Sequence, residues 1–111
     1  MNGGNAVTEN GITKTFYRNG TLATETEIDE KGEAHGTSKV FLKNGQMKAI
    51  GKMVHGKMDG EWKWWRESGE FWQEGHFING SREGTWTRYA RDGKVEKIKN
   101  FKYDKEVKKK K

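Results

Sequence analysis

Apolar and polar residues alternate along most of this chain, and glycines interrupt the alternation at regular intervals. Apolar residues stand two and eight places after each of four turn glycines: Leu22, Met47, Phe71 and Val95, then Ile28, Met53, Phe77 and Phe101. Both offsets are even, so the two residues of each pair share one face of a strand. The alternation predicts β-strands, because glycines every few residues would each cost about 1 kcal/mol in a helix interior.

The pattern repeats every 24 residues, or 25 in the first copy. Each copy opens with a glycine and reaches a turn glycine nine places later; the opening glycines are Gly11, Gly36, Gly60 and Gly84. Seven other glycines come second in turn-like pairs: Asn19-Gly20, Lys31-Gly32, Asn44-Gly45, His55-Gly56, Ser68-Gly69, Asn79-Gly80 and Asp92-Gly93. Asn-Gly and Asp-Gly favour two-residue type I′ hairpin turns. The sequence therefore predicts an all-β fold, an antiparallel β-meander of about four such hairpin repeats, with about eight strands in a single curved sheet.

A two-residue turn at Ser68-Gly69 sets the register of the third repeat. It places Trp65 opposite Trp72, and Trp62 opposite Gly75, whose bare backbone the indole would cover. One face then carries most of the apolar side chains and is expected to pack internally: Tyr17, Leu22, Ile28, Val40, Leu42, Met47, Met53, Trp62, Trp64, Phe71, Phe77, Trp86, Val95 and Phe101. The other face carries a single aromatic column: Phe16, Phe41, Trp65 and Tyr89.

The composition favours a repeat array over a domain with a thick core. Of the 111 residues, 31% are hydrophobic and 34% are charged, and a repeat array needs no central core because each unit packs on its neighbours. We expect a flexible N-terminal lead at residues 1–10, a β-repeat domain at 11–103 and a basic lysine-rich tail at 104–111. No apolar run approaches membrane-spanning length and residues 1–11 lack the features of a signal peptide, so the predicted location is cytoplasmic.

The positive charge of the chain is concentrated at its C-terminal end. The net charge is +6, but residues 1–93 are neutral and residues 94–111 contain nine lysines against three carboxylates. The tail is a solvated end, a docking arm for a protein partner, or a contact for nucleic acid or an anionic membrane. Its candidate contact residues are Lys105, Lys108, Lys109, Lys110 and Lys111. Because the repeat body is neutral, nucleic-acid binding is the weaker hypothesis.

Few residues offer catalytic or metal-binding chemistry. The chain has no cysteine, and the repeat ties no histidine to its three serines, so neither a thiolate nor a Ser-His pair is expected. His35, His55 and His76 lack the spacing of a metal-ligand set. The sequence thus predicts a protein that is not an enzyme and that uses no metal, cofactor or small-molecule substrate.

The tryptophans are the strongest candidates for a binding surface. All five fall between Trp62 and Trp86. In a thin sheet they serve mainly in packing, or some of them stay exposed and contact a partner, since tryptophan, tyrosine and arginine are typical interface anchors. The predicted partner-binding residues are Trp65, Trp72 and Tyr89, with Arg66, Arg88 and Arg91 beside them.

Two stretches fit a template in which an aromatic residue, two glycines, a tryptophan and a further glycine recur at fixed spacing, with Met53 at the aromatic position of one of them. They read FINGSREGTWTRYARDG and MVHGKMDGEWKWWRESG. The template resembles the variant MORN repeat, as strung together in the YwqK family of bacterial antitoxin or immunity proteins, and the likeness covers residues 11–103. Thr13 and Ser38 stand where the template has tryptophan.

The resemblance implies a non-enzymatic protein-binding module, an antitoxin or immunity-type inhibitor that binds and occludes a partner toxin or another enzyme. It supplies no catalytic residue. The alternatives are nucleic-acid or anionic-membrane binding through the tail, and a structural adaptor.

Overall fold

The computed structural model describes residues 6–108, which form ten antiparallel strands in one open, curved sheet. The strands are β1 (Ala6–Glu9), β2 (Ile12–Phe16), β3 (Leu22–Ile28), β4 (Ala34–Phe41), β5 (Met47–Val54), β6 (Lys57–Trp65), β7 (Phe71–Ile78), β8 (Ser81–Tyr89), β9 (Val95–Lys102) and β10 (Lys105–Val107). Each strand pairs with the next one in the chain, which confirms the all-β meander. β1 and β10 extend the sheet beyond 11–103, into the segments assigned from the sequence to the lead and the tail. No helix in residues 6–108 could cross a membrane.

The chain reverses direction at both ends of the strands, and the turns on these two sides of the sheet differ in length. On one side, which we call the long-turn side, the turns contain Gly20, Gly45, Gly69 and Gly93. In the third repeat the N–H of Arg66 donates to the carbonyl of Glu70 at 2.8 Å, and Gly69 has a φ of 102°. Three residues therefore lie between the paired positions, the form in which a type I turn is followed by a glycine in the left-handed region. The predicted two-residue turn at Ser68-Gly69 is wrong, and so are the type I′ turns predicted at Asn19-Gly20, Asn44-Gly45 and Asp92-Gly93, because only the glycine of each pair has a positive φ.

On the opposite side, the short-turn side, two-residue turns dominate. Both central residues have positive φ at His55-Gly56 and Asn79-Gly80, and also at Asn10-Gly11 and Tyr103-Asp104. This confirms the type I′ turn predicted at Asn79-Gly80 and the turn predicted at His55-Gly56. The exception on this side is the β3–β4 turn, where the N–H of Asp29 donates to the carbonyl of Glu33 at 2.9 Å and three residues intervene. The extra residue of the first repeat is placed there.

The longer turns change the register of the strands that they join. Lys63 pairs with Glu74 and Trp62 with Gly75, as predicted, but the ladder then shifts and Trp65 pairs with Phe71. The predicted pairing of Trp65 with Trp72 is therefore wrong. The same shift recurs in every repeat, where the pairs are Phe16–Leu22, Phe41–Met47 and Tyr89–Val95. Since paired residues share a face, Leu22, Met47, Phe71 and Val95 lie with the aromatic column, and their predicted place on the other face is wrong.

The face that carries Trp62, Phe77 and Trp86 forms the core of the described residues. The buried hydrophobic side chains are Ala49, Trp62, Phe77, Trp86 and Phe101, and Val40, Met53, Met58 and Trp64 pack against them. Neighbouring rings meet edge to face: Phe77 lies 5.0 Å from Trp86 at 87°, and Trp86 lies 6.0 Å from Phe101 at 78°. Each such pair contributes about 0.5–1.5 kcal/mol beyond its buried area. The predicted internal packing of this face is confirmed for Val40, Met53, Trp62, Trp64, Phe77, Trp86 and Phe101.

Two tryptophans lie flat on glycines of the preceding strand. A methyl group at Gly75 would overlap the indole of Trp86, and one at Gly51 would overlap the indole of Trp62. The indole N–H of Trp62 donates to the carbonyl of Lys52 at 2.9 Å. Trp62 was expected to cover Gly75, its ladder partner in β7; it covers Gly51 in β5 instead, and Trp86 covers Gly75.

Candidate functional site

A groove of about 400 Å³ crosses the third and fourth repeats on the face that carries the core. We call it the aromatic groove, and its floor consists of Trp64, Trp72, Phe77, Trp86 and Phe101. Its rim, which we call the basic rim, consists of Arg82, Arg88, Lys97 and Lys99. Large flat rings thus lie beneath a set of cationic side chains.

The strand ladder explains why these side chains meet. Gln73 pairs with Trp64 on one side and with Arg88 on the other, and Arg88 pairs in turn with Lys97. Trp86 pairs with Lys99 in the neighbouring row. Because paired residues share a face, each row places aromatic and cationic side chains side by side across β6 to β9.

The electrostatics of the groove favour an anionic ligand. Of the described residues that line it, four are cations and none is a carboxylate. Arg82 is neutralised, because its Nε lies 2.8 Å from Oδ1 of Asp104, which lowers the pKa of Asp104 through this side-chain hydrogen bond. In residues 6–108 no carboxylate forms an ion pair with Arg88, Lys97 or Lys99. Three positive charges therefore face the groove without an internal partner.

Trp72 occupies the extra position of the shifted register and lines the aromatic groove. The guanidinium carbons of Arg66 and Arg88 lie 6.0 Å and 5.8 Å from the centre of its ring. These separations are at the outer limit of a cation–π contact. Arg66 also donates through a terminal nitrogen to the carbonyl of Tyr89 at 2.9 Å. The structure thus brings together three of the six predicted partner-binding residues: Trp72, Arg66 and Arg88.

Trp65 and Tyr89 lie on the opposite face, with Phe71 between them. The Phe71 ring is 5.5 Å from Trp65 and 5.2 Å from Tyr89. The hydroxyl of Tyr89 donates to Oε2 of Glu74 at 2.5 Å, and this hydrogen bond raises the pKa of Tyr89. Arg91 is exposed and lines a separate depression beside Tyr89. The predicted residues therefore form two groups on two faces, and their role in binding stays a prediction.

Sequence reasoning missed part of the basic rim. Lys97 and Lys99 were counted with the basic C-terminal segment, although they pair with Arg88 and Trp86 across the Asp92-Gly93 turn. Continuing the hairpin register through that turn would have identified both lysines. Of the predicted tail contacts, Lys105 lies on β10 and Lys108 is exposed, whereas Lys109, Lys110 and Lys111 lie outside the described residues.

Comparison with known families decides the class of the repeat. The MORN repeat variant family matches residues 9–29, 58–79 and 82–103, which together make up more than half of the chain. The chain belongs to the MORN repeat variant family. The matched MORN segments hold the whole floor of the aromatic groove, whereas the interval 30–57, which contains His35 and His55, is left unmatched. Membership in this family supports a repeat-type binding module.

A solved structure adds evidence on the fold alone. The MORN repeat chain is similar to a solved structure described as "Crystal Structure of TarM", with a TM-score of 0.55 and 13% sequence identity. The match covers 96% of this chain and 21% of that one, so the chain spans about a fifth of the length of the TarM chain. No curated protein matches the sequence.

Proposed function

We propose that this MORN repeat protein is a non-enzymatic protein-binding module, an antitoxin or immunity-type inhibitor that binds and occludes a toxin or another enzyme. The observation that carries the proposal is the aromatic groove, where four cations, three of them without an internal carboxylate partner in residues 6–108, surround a floor of tryptophan and phenylalanine rings. The antitoxin or immunity type rests on the resemblance to the YwqK family.

The floor of the groove is suited to anchor a partner. Trp86, Phe77 and Phe101 are held by edge-to-face contacts and are buried, so little side-chain entropy is lost when a ligand covers them. Trp64 and Trp72 are only partly buried and offer ring surface to a partner. Interface energy concentrates in such aromatic residues, at about 2 kcal/mol or more each.

The basic rim sets the chemistry of the partner. Arg88, Lys97 and Lys99 would attract a surface rich in aspartate or glutamate and orient it over the floor. Paired charges at a rim raise the association rate more than they raise the affinity. The groove offers arginine, lysine, glutamine and aromatic side chains, a set suited to binding and orienting a partner.

The experiment compares partner capture from the native host by the wild-type chain and by two variants. Trp72→Ala removes a partly exposed ring of the floor, and Ile98→Ala is the matched control, because Ile98 is 56% exposed and pairs with Thr87 on the opposite face. We expect capture of a protein by the wild type and by Ile98→Ala, and about thirty-fold weaker binding by Trp72→Ala. The captured protein should lose its activity in the complex. Equal binding by all three chains would contradict the proposal.

Nucleic-acid binding is the second candidate, because the unpaired cations beside flat rings also suit a phosphate backbone with stacked bases. It predicts that the affinity for single-stranded DNA falls linearly with the logarithm of salt concentration, and that Lys97→Gln with Lys99→Gln reduces that slope. A protein partner held by the floor predicts a weak salt dependence.

A further inference from the structure

Two histidines and two carboxylates meet on the short-turn side of the sheet. We call them the histidine cluster: Asp29, Glu33, His35 and His55. One ligand atom from each of Asp29, His35 and His55 lies within 4.8 Å of the others. Nδ1 of His55 is 3.7 Å from Oδ2 of Asp29 and 3.5 Å from Oε1 of Glu33. Along the sequence the histidines lack the spacing of a ligand set, because these residues meet only through the turns of neighbouring hairpins.

Local hydrogen bonds hold one ligand of the cluster in place. Oδ1 of Asp29 accepts the backbone N–H groups of Lys31 and Glu33, each at 2.9 Å. Oδ2 is left to face His55. The two backbone hydrogen bonds therefore hold the carboxylate of Asp29 in a fixed orientation.

His35 departs from its counterparts in the other repeats. The residues 24 and 48 places later are Asp59 and Glu83. Asp59 accepts the backbone N–H of Asn79 at 2.9 Å and Glu83 accepts that of Tyr103 at 3.0 Å, whereas Nδ1 of His35 accepts that of His55 at 3.3 Å. A carboxylate makes this contact at a shorter distance, so the turn itself does not require an imidazole.

His55 and the β3–β4 turn depart from the repeat at the same place. His55 has a φ of 47° at the turn position that Asn79 fills one repeat later, and asparagine is favoured in that conformation. The β3–β4 turn contains the one extra residue of the first repeat, and this residue lengthens the turn between Asp29 and Glu33. Two substitutions and one insertion therefore converge on one point, and all of them add or position metal-ligating side chains.

We propose that the histidine cluster binds a divalent transition-metal ion of the Zn²⁺ or Ni²⁺ type. Imidazole nitrogens combined with carboxylate oxygens suit these ions, whereas Mg²⁺ and Ca²⁺ favour all-oxygen sites. Bonds of about 2.0–2.2 Å to a common ion require the ligand atoms to approach by about an ångström. The exposed side chains allow this, since that of His55 is 69% exposed and that of Glu33 is 47% exposed.

The bound ion would join two hairpins rather than perform chemistry. Asp29 and Glu33 lie at the two ends of the β3–β4 turn, and His55 lies in the β5–β6 turn. One ion held by both turns would stabilise the folded chain by mass action. The cluster lies in the first and second repeats, whereas the aromatic groove lies in the third and fourth, which separates this proposal from partner binding.

The test is calorimetric titration of the untagged, chelator-treated full chain with ZnCl₂ and with NiCl₂. His55→Asn is the main variant, because Asn79 shows that asparagine forms this turn. His76→Ala is the matched control, because His76 is an exposed histidine on β7 outside the cluster. We expect one ion per wild-type chain, at least tenfold weaker affinity for His55→Asn and for Asp29→Asn, and unchanged affinity for His76→Ala.

Amide NMR spectra locate the ion. Addition of Zn²⁺ should shift the resonances of residues 29–35 and 53–57 and leave those of β7 to β9 unchanged, and the melting temperature should rise for the wild type but not for His55→Asn. Absence of binding, equal loss of affinity in His76→Ala, or full affinity in His55→Asn would each overturn the proposal. Ca²⁺ binding with the same affinity as Zn²⁺ would overturn the assignment of the metal class.

Discussion

Substitution of Gly75 by alanine tests how the tryptophans hold the sheet together. Gly75 has an ordinary strand φ, so alanine introduces no backbone strain there. Its new methyl group would nevertheless overlap the indole of Trp86. The indole would have to move away from the strand, and this would disturb its contacts with Phe77 at 5.0 Å and Phe101 at 6.0 Å.

The magnitude follows from three contributions. Overpacking of a filled core costs about 1–3 kcal/mol. The hydrogen bond from the Trp86 indole to the carbonyl of His76, at 3.2 Å, contributes about 0.5–1.5 kcal/mol and would be lost or lengthened. Alanine in place of glycine within a strand returns about 0.5–1 kcal/mol. We therefore expect the free energy of unfolding to fall by about 2 kcal/mol, which lowers the melting temperature of a domain of this size by about 10 °C.

The assay is urea unfolding followed by far-ultraviolet circular dichroism, which does not depend on the emission of the displaced indole. Gly75→Ala is measured in the wild type and in a Trp86→Ala background, which completes a double-mutant cycle. Without the indole above it, the Gly75→Ala substitution should be neutral or stabilising by up to about 1 kcal/mol. An equal loss of stability in both backgrounds would refute the reasoning, because the cost would then not come from Trp86.

Three further predictions address the faces, the ionisable groups and the tail. Phe77→Ala should lower the free energy of unfolding by about 3–5 kcal/mol, because Phe77 is buried in the core, and Trp72→Ala should cost less because Trp72 is partly exposed; urea unfolding measures both. The hydrogen bond to Glu74 raises the pKa of Tyr89. The stabilisation of the fold by this hydrogen bond is therefore complete below the unfolded pKa of about 10 and is lost as pH rises through the folded pKa. The wild type should lose stability above about pH 10 more steeply than Tyr89→Phe. Truncation after Val107 removes four lysines and keeps β10; it should slow association with an acidic protein partner and change the affinity little.

Each of these predictions has a contrary outcome. If Trp72→Ala unfolds the chain while Phe77→Ala leaves it folded, the packed face is misassigned. Alkaline unfolding curves that coincide for wild type and Tyr89→Phe would show that the hydrogen bond to Glu74 does not contribute to stability. A truncated chain that loses most of its affinity, together with its salt dependence, would favour the phosphate-binding alternative.

The period of the sequence was sufficient to predict the strands but not their full register. Strand alternation and the 24-residue repeat depend on residue types that recur four times, so local errors average out. Each turn on the long-turn side depends instead on the local backbone conformation of a few residues. In the first repeat the side chain of Asn19 accepts the N–H of Thr21 at 2.9 Å, which fixes asparagine before the glycine in a type I turn. An Asn-Gly pair fits both turn forms, and the sequence alone does not distinguish them.

That single ambiguity explains most of what the sequence did not predict about the site. One extra turn residue moves Phe71 to the face of Trp65 and leaves Trp72 in the aromatic groove. The side-chain types at the site were predictable, since aromatic and basic residues were recognised as candidates from composition. The histidine cluster was not predictable, because its members come from different hairpins and are joined only by the geometry of the turns.

The strict neighbour-to-neighbour order of the strands has a consequence for how the protein is made. Each strand forms its ladder only with the strands immediately before and after it in the chain. During synthesis, therefore, a hairpin can dock as soon as the following strand leaves the ribosome, without waiting for a distant segment. Folding would then keep pace with translation from the N-terminal end, and the aromatic groove, which needs β6 to β9, would be completed among the last parts of the sheet.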